Sequence, residues 1–389
     1  MSAMLLRLVC TAALAAGTVL APVSAAAVPE PGGGKSTAGP GGRSVAELLT
    51  ELQGLYRKAE KATEAHNATQ ERLKKQRAET QRLQRALART RLSLHNSRGA
   101  AGRLARQQYQ SLTGLSPYLR LLLARDPQRA LDEGHVIGQL ARQRAETVGR
   151  LTAGEREARE LAGRARKALA VRTALTERSR KQRDEVRRRL REVEKLLASL
   201  TAEQLAALAE LERSRIAKAQ KELVTSGALS HGSTHPSAAG ARAVRYAVQQ
   251  LGKPYEWGAE GPATYDCSGL TSKAWGAAGT PIPRTSQEQW ARLKRVPLVE
   301  LRPGDLVVYF PEATHVALYL GDGKVVQAPH PGARIKVSPI AANPVLGAVR
   351  PDPGGKSLRR YVPPELPEWA AQGSDAGYSA AGAPETSAR

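Results

Sequence analysis

The sequence predicts two unlike parts in one chain, a long all-α coiled-coil hairpin followed by a small α+β domain of antiparallel strands and helices. Three observations carry this. Proline is absent from Ser44 up to Pro117 and again from Gln128 to His235, so neither stretch contains a residue that forbids a long helix. Within both, apolar residues recur at alternating intervals of four and three, the coiled-coil period. After residue 240 that period gives way to short β-rich runs punctuated by Gly turns. Only 4% of the chain is aromatic and Phe310 is its single phenylalanine, which suits one modest core beside a long helical region.

Taken in order, residues 1–27 read as a signal peptide. Arg7 gives a positive start, an apolar run extends to Leu20, and Ser24 to Ala27 are small residues of the kind found at a cleavage site. The run is too short to span a bilayer, so cleavage rather than anchoring is expected, and Cys10 leaves with it. Residues 28–43 are a Pro/Gly/Ser linker. Ser44 then caps a helix, with Glu47 reaching back to the cap amide. The hairpin occupies 44–225. Leu48, Leu52, Leu55, Ala59 and Ala62 form one stripe, and Val186, Leu190, Val193, Leu197 and Leu200 form another. Between Ala100 and Leu140 the heptads break at Gly114, Pro117 and Pro127 around the apolar group Leu119, Leu121, Leu122 and Leu123, which marks the tip. Residues 226–240 read as a hinge, 241–350 as the α+β domain, and 351–389 as a mostly disordered tail rich in Pro, Gly, Ala and Ser.

The formal net charge is +23, and residues 51–230 hold 39 Lys/Arg against 21 Asp/Glu. Inside a cell that balance would suggest nucleic acid. Export removes this reading and leaves anionic lipid head groups and anionic wall polymers as the polyanions within reach. No close-spaced Cys/His set completes a zinc tetrahedron, and His231, His235 and His330 lie in flexible-looking segments, so no metal or other cofactor is expected.

Once Cys10 is removed, Cys267 is the only cysteine, and it cannot be half of an intramolecular disulfide. It lies in Tyr265-Asp266-Cys267-Ser268-Gly269-Leu270, where Asp266 caps a helix and Gly279 stops it. A sulfur at a helix start is favoured as thiolate, the nucleophilic form. Downstream, Arg302 to Val308 read as a turn into a strand, and His315 opens the next, closed by Gly321-Asp322-Gly323 into a third. A backbone-held imidazole there would stand beside the Cys267 helix.

The ordered set Gly252-Lys253-Pro254-Tyr255-Glu256-Trp257-Gly258, Asp266-Cys267-Ser268-Gly269-Leu270, Pro283-Arg284-Thr285-Ser286 with Gln289, Pro303-Gly304-Asp305-Leu306, and His315-Val316 with Tyr319-Leu320-Gly321 resembles the NlpC-type peptidoglycan endopeptidases. The resemblance covers about 110 residues. It implies a papain-like fold and hydrolysis of cell-wall stem peptides, commonly between γ-D-glutamyl and a diamino acid. It implies Cys267 as nucleophile, His315 as general base and then acid, and Tyr255 with the Cys267 amide as oxyanion donors. Ser268 and Ser286 fall near the substrate groove as binding residues, and Trp257, Gly258, Arg284 and Thr285 maintain the fold. The third catalytic position, usually histidine twelve residues after the catalytic one, is here Gln327.

Which residue orients His315 is left open by the residues themselves. A two-residue Asp322-Gly323 turn pairs Gly321 with Lys324 and, continued, sets His315 opposite His330 and Gln327 beside Leu318. Family spacing selects Gln327, which requires a bulge that shifts the face by one residue. The exported hairpin ahead of a hydrolase domain also looks like division-associated wall hydrolases held by a membrane ABC-transporter complex. The expectation is a secreted cysteine endopeptidase of peptidoglycan. Its rivals are a non-catalytic adaptor that binds wall peptide and a divisome partner, and an amidase or acyltransferase on the same fold.

Overall fold

The computed structural model describes residues 43–111, 117–122, 126–229 and 234–371. The signal peptide with Cys10, almost all of the linker, Gly114 and Leu123 of the tip, His231 and the tail beyond 371 lie outside the described residues. Helix α1 (Val45–Ser111) starts at the expected capping box, in which Glu47 Oε2 accepts from the Ser44 amide at 2.7 Å and Ser44 Oγ accepts from the Glu47 amide at 3.3 Å. After the short α2 (Pro117–Leu122), α3 (Pro127–Ala198) returns for 72 residues, about 100 Å of helix at 1.5 Å per residue. The two run antiparallel: Arg98 meets Glu155, Thr90 meets Glu157, Gln76 meets the Ala168 carbonyl, and Gln70 meets Ser179.

The seam is thin. It buries Leu73, Leu83, Leu94, Ala168, Val186 and Val193, but also Thr80, Thr147 and Ser179. The second arm is not one helix through residue 225. A turn at Ser199-Leu200 separates α3 from α4 (Ala202–Thr225), because Thr201 and Gln204 form a second capping box. Near the base, Leu48 and Leu49 of α1 close a small core with Leu196 of α3 and Leu208 of α4.

The α+β part holds α5 (Ala238–Val248), α6 (Cys267–Ala277), α7 (Ser286–Arg292) and six antiparallel strands. These are β1 (Lys294–Val296), β2 (Leu306–Tyr309), β3 (His315–Gly321), β4 (Lys324–Gln327), β5 (Lys336–Pro339) and β6 (Val345–Arg350), in the spatial order β1-β6-β2-β3-β4-β5. One face packs on α5 and α6 through Val244, Ala247, Leu270, Trp275, Leu306 and Leu318. The other buries Tyr309, Val307, Ala317 and Ile340 together with Leu223 and Leu229 from the end of the helical region. Asp322 and Gly323 both have positive φ, 51° and 65°, as the tight β3–β4 turn requires. A Cβ on Gly323 would lie 2.7 Å from Gln220 Nε2, so α4 reaches this turn closely.

Two expectations change here. Ala238 to Gly240 belong to α5 rather than to a hinge, with Ser237 as its N-cap. Residues 351–371 pack on the domain rather than trailing away: Asp352 pairs with Arg302 at 2.9 Å, Leu358 accepts from His235, Ala370 is buried, and the Trp369 ring lies against Gly252. Composition signalled disorder, but long-range partners supply the order.

Candidate active site

Helix α6 begins where the sequence placed it. Asp266 Oδ1 accepts from the Gly269 amide at 2.6 Å, and Gly279, with φ 83°, follows the helix end. Gly269 is required by close approach, since a Cβ there would meet the Ala259 carbonyl oxygen at 2.2 Å. This start buries Cys267 to 3% exposure, in one core cluster with Val316 at the head of β3. His315, 1% exposed, is the residue before it.

His315 Nε2 lies 2.8 Å from Gln327 Oε1, and Gln327 Nε2 donates to Ser338 Oγ, also at 2.8 Å. An amide oxygen only accepts, so Nε2 is the donor to Gln327, and Nδ1 is the nitrogen that faces Glu60. The register explains why Gln327 reaches the ring. Gly321 pairs with Lys324 as the turn demands, but the ladder then shifts so that Tyr319 opposes Val325 and Leu318 opposes Val326. The shift puts Gln327 on the face of His315. His330 is elsewhere: its Nδ1 contacts the Pro331 carbonyl, and its ring lies 4.2 Å from that of Tyr56 on α1.

Tyr255 is buried in the same cluster as Cys267. Burial first, and then the neighbouring Cys267, Asp266, Glu60 and Glu64, hold its phenol well above the usual range, so it stays a neutral donor. Arg284 is buried and anchors the start of α6, reaching Asp266 at 2.7 Å, Glu260 at 3.0 Å and Ser268 Oγ at 2.9 Å. Thr285 caps α7 through the Glu288 amide, and the amide of Gln289 ties Thr271 to the Pro283 carbonyl. These contacts fit the fold-maintaining roles expected of Arg284 and Thr285.

Three residues that the sequence reading missed come from α1. Glu60 Oε1 is 3.4 Å from His315 Nδ1. Glu64 Oε1 accepts from Ser268 Oγ at 2.8 Å, and Glu64 Oε2 accepts from the Ser286 amide at 2.9 Å. Asn67 Nδ2 donates to Asp266 Oδ2 at 3.0 Å. The Ser268 hydroxyl and the Ser286 amide, expected near the substrate, are thus both taken by Glu64 of α1. A signal existed: continuing the four-three spacing beyond Ala62 lands on His66 and Thr69, so the apolar stripe lapses into polar residues where α1 crosses the domain.

This company alters the thiol. Burial first, then Glu64, Asp266 and Glu60, push Cys267 well above its ordinary value, and the Val316 N–H only partly opposes them. The expected thiolate at a helix start is thus a neutral thiol in this arrangement. For His315, burial works against the proton, but Glu60, Gln327 and Glu64 outweigh it and raise the imidazole. Among the described residues, no group of three or more His, Cys, Asp or Glu is placed to hold a metal ion, and no helix is long and apolar enough to cross a membrane.

Residues 252–347, which contain Cys267, His315 and Gln327, match the NlpC/P60 family. The chain carries an NlpC/P60 domain. It is 40% identical over 116 residues to a probable endopeptidase of Corynebacterium glutamicum, covering 30% of this chain and 56% of that one. It is 36% identical over 108 residues to a probable endopeptidase of Mycobacterium tuberculosis, covering 28% of each. The match thus spans about half or less of the length of these curated relatives. Among solved structures, the NlpC/p60 domain of the peptidoglycan hydrolase SagA is 31% identical, with 28% of this chain and 97% of that one covered and a TM-score of 0.27.

Proposed function

We propose that this chain is a cysteine endopeptidase that hydrolyses peptidoglycan stem peptides, at the bond between γ-D-glutamyl and the diamino acid. The observation that carries the proposal is the buried Cys267 at the start of α6, packed in one core with Val316 of β3 and next to a hydrogen-bonded His315–Gln327 pair, inside an NlpC/P60 domain. In this reading His315 Nδ1 takes the thiol proton and the sulfur attacks the scissile carbonyl. The Cys267 amide and the Tyr255 hydroxyl hold the oxyanion, and the imidazolium then protonates the departing amine. Water completes hydrolysis of the thioester with the same imidazole as base. Gln327 orients the ring without adding charge, as a neutral amide can in papain-like enzymes.

The apolar N-terminal run supports action outside the membrane. There the basic hairpin meets anionic wall polymers, and its tip, with Leu119 and Leu122 exposed, faces a membrane partner such as an ABC-transporter complex. Because Glu60 and Glu64 occupy the groove, the test uses the full chain carrying Glu60→Ala and Glu64→Ala, incubated with purified muropeptides and followed by mass spectrometry. Stem-peptide fragments that vanish on adding Cys267→Ala are expected. Peptide binding without cleavage would favour the adaptor, and transfer or side-chain amide products would favour the rival chemistries.

A further inference from the structure

We infer that the outer face of α3 is a docking strip for a linear phosphodiester polymer of the cell wall, held by Arg166, Lys167, Arg180, Lys181, Arg187 and Arg188. This deepens, and rests on, the reading that the basic hairpin meets anionic wall polymers. The strip follows from the heptads. Ala165, Ser179 and Val186 are seam positions of α3, half-buried or buried towards α1, and each is followed by two cations, Arg166-Lys167, Arg180-Lys181 and Arg187-Arg188. The two positions after such a seam residue point outward from a helix pair, and all six side chains are exposed. Thr173 and Ala174 fill the intervening place. At 1.5 Å per residue the cations line one side of the helix for about 30 Å, with heptads about 10 Å apart. Neighbouring acids leave most of this charge free. Asp184 pairs with Arg183, and Glu185 with Arg188 and Arg189, whereas among the described residues no ion pair joins Arg166, Lys167, Arg180, Lys181 or Arg187. Against them stands the exposed Glu177.

The surroundings choose the partner. Glu60, Glu64 and Asn67 bring the α+β domain against the outer side of α1, so the outer side of α3 looks away from it. A helix that lies on a membrane buries large apolar or aromatic residues among the head groups, and single-stranded nucleic acid is gripped by aromatic rings that stack on its bases. Helix α3 contains no Phe, Tyr or Trp. Its exposed Leu169 and Val171 flank the seam instead of joining the strip. What remains is charge in a line. A polymer with one phosphate per repeat matches that line, because a guanidinium takes a phosphate through paired N–H groups and each contact releases a condensed counterion. Docked there, the polymer holds the chain at the wall on the side of the hairpin that faces away from the catalytic groove.

The test measures binding of the full chain to end-labelled poly(glycerol phosphate) by fluorescence anisotropy across a salt series. The strip variant Lys167→Gln/Arg180→Gln/Lys181→Gln/Arg187→Gln is set against Arg77→Gln/Arg85→Gln/Arg89→Gln/Arg91→Gln, which removes the same charge from exposed positions of α1. The strip variant should bind at least about ten-fold more weakly, with the slope of log affinity against log salt reduced by about three, whereas the α1 variant should lose about two-fold or less. Equal losses in the two variants would mean that net charge alone binds the polymer, and would overturn the strip. Tighter binding to phosphatidylglycerol vesicles than to the polymer, lost in the same strip variant, would assign the face to a membrane and overturn it too. Glutamine has a helix propensity close to that of Lys and Arg, and circular dichroism reports whether each variant stays helical. If the quadruple variant unfolds, Arg180→Gln and Arg187→Gln alone should each weaken binding about two-fold, and unchanged binding in both would overturn the strip. Placed in the Glu60→Ala/Glu64→Ala chain, the strip variant should cleave soluble muropeptides at the parent rate. Absence of cleavage in both chains would remove the peptidase reading and leave the strip standing.

Discussion

The core of the NlpC/P60 domain and the seam of the hairpin are built to different standards. The domain buries Trp275, Tyr265, Leu270, Leu306 and Leu318 completely, and the Trp275 indole donates to the Gly304 carbonyl at 3.0 Å. The seam between α1 and α3 places Thr80, Thr147, Ser179 and Ala168 where a tight coiled coil would carry Leu or Ile. Small and hydroxyl-bearing residues bury little apolar area, so each turn of the hairpin contributes less than a layer of the domain. The difference teaches where motion belongs. The densely packed domain holds the thiol, imidazole and amide, while the helix whose Glu60 and Glu64 lie against them is drawn from the more thinly packed region.

The sharpest way to break this comparison is to damage both cores. Trp275→Ala should cost the domain about 3–5 kcal/mol, whereas Leu83→Ala in the seam should cost about 2 kcal/mol. All four tryptophans, Trp257, Trp275, Trp290 and Trp369, lie in the α+β part, so their fluorescence follows that part while far-UV circular dichroism follows the helices. In denaturant titrations of Leu83→Ala, the fluorescence midpoint should stay near that of wild type. A matching shift in both signals would mean that hairpin and domain unfold as one unit, and the contrast would fail.

The second prediction sharpens the contrast through pH. Burial, and then the charge of Asp266, raise Glu64 from an ordinary value of 4.5 to about 7, against opposing help from Ser268, Arg284 and the Ser286 amide. Its seat is therefore firmest at and below the ordinary value. As pH rises towards 7 the withdrawn carboxylate ionises freely while the seated one resists, and closure weakens by about 3 kcal/mol, on the order of a hundred-fold. Asp266, Arg284, Glu60, Cys267 and His315 face the same groove. Dividing the Cys267 alkylation rate of wild type by that of Glu64→Ala at each pH removes what these groups contribute to both chains. The ratio should climb between pH 4.5 and 7 and level off above it. A flat or falling ratio would contradict this placement of Glu64.

Much of the framework of caps and turns was legible in the sequence because its signals are local. The capping box at Ser44, the Asp266 cap, the Gly279 stop and the Asp322-Gly323 turn each depend on neighbours within a few residues. What was not legible depends on distance. Heptad reading assigns α1 a single partner, and Glu64 instead meets Ser268, 204 positions later, on a surface that the α1–α3 stripe does not describe. The upward push on the Cys267 thiol was hidden for the same reason, since burial comes first among its causes and two of the three carboxylates that follow come from α1. Order in residues 351–371 rests on Asp352 finding Arg302 and on Trp369 finding Gly252, which composition cannot reveal.

The third prediction separates the two candidates for orienting His315. In the Glu60→Ala/Glu64→Ala chain, Gln327→Ala should lower kcat about ten-fold, roughly 1.4 kcal/mol in the barrier. His330→Ala should leave kcat nearly unchanged, because its ring packs on Tyr56 rather than on the imidazole. The reverse pattern would transfer the orienting role to His330.

The smallest effect concerns Ser338, which reaches His315 only through Gln327. Its hydroxyl accepts from Gln327 Nε2 at 2.8 Å, and this contact selects the amide rotamer that turns Oε1 towards the ring. Without it the amide can flip, present its NH2 group to an imidazole N–H, and lose the orienting bond for part of the time. Ser338→Ala in the same background should reduce kcat two- to five-fold, about 0.5–1 kcal/mol, with KM unaltered. The kinetic pKa assigned to His315 should fall, because an acceptor that supports the imidazolium is lost in a fraction of molecules. Ser338→Thr retains a hydroxyl on the same strand and should recover most of the rate. If Ser338→Ala lowers stability but moves neither kcat nor the pH profile, the serine supports β5 alone and the Gln327 amide is held by other contacts.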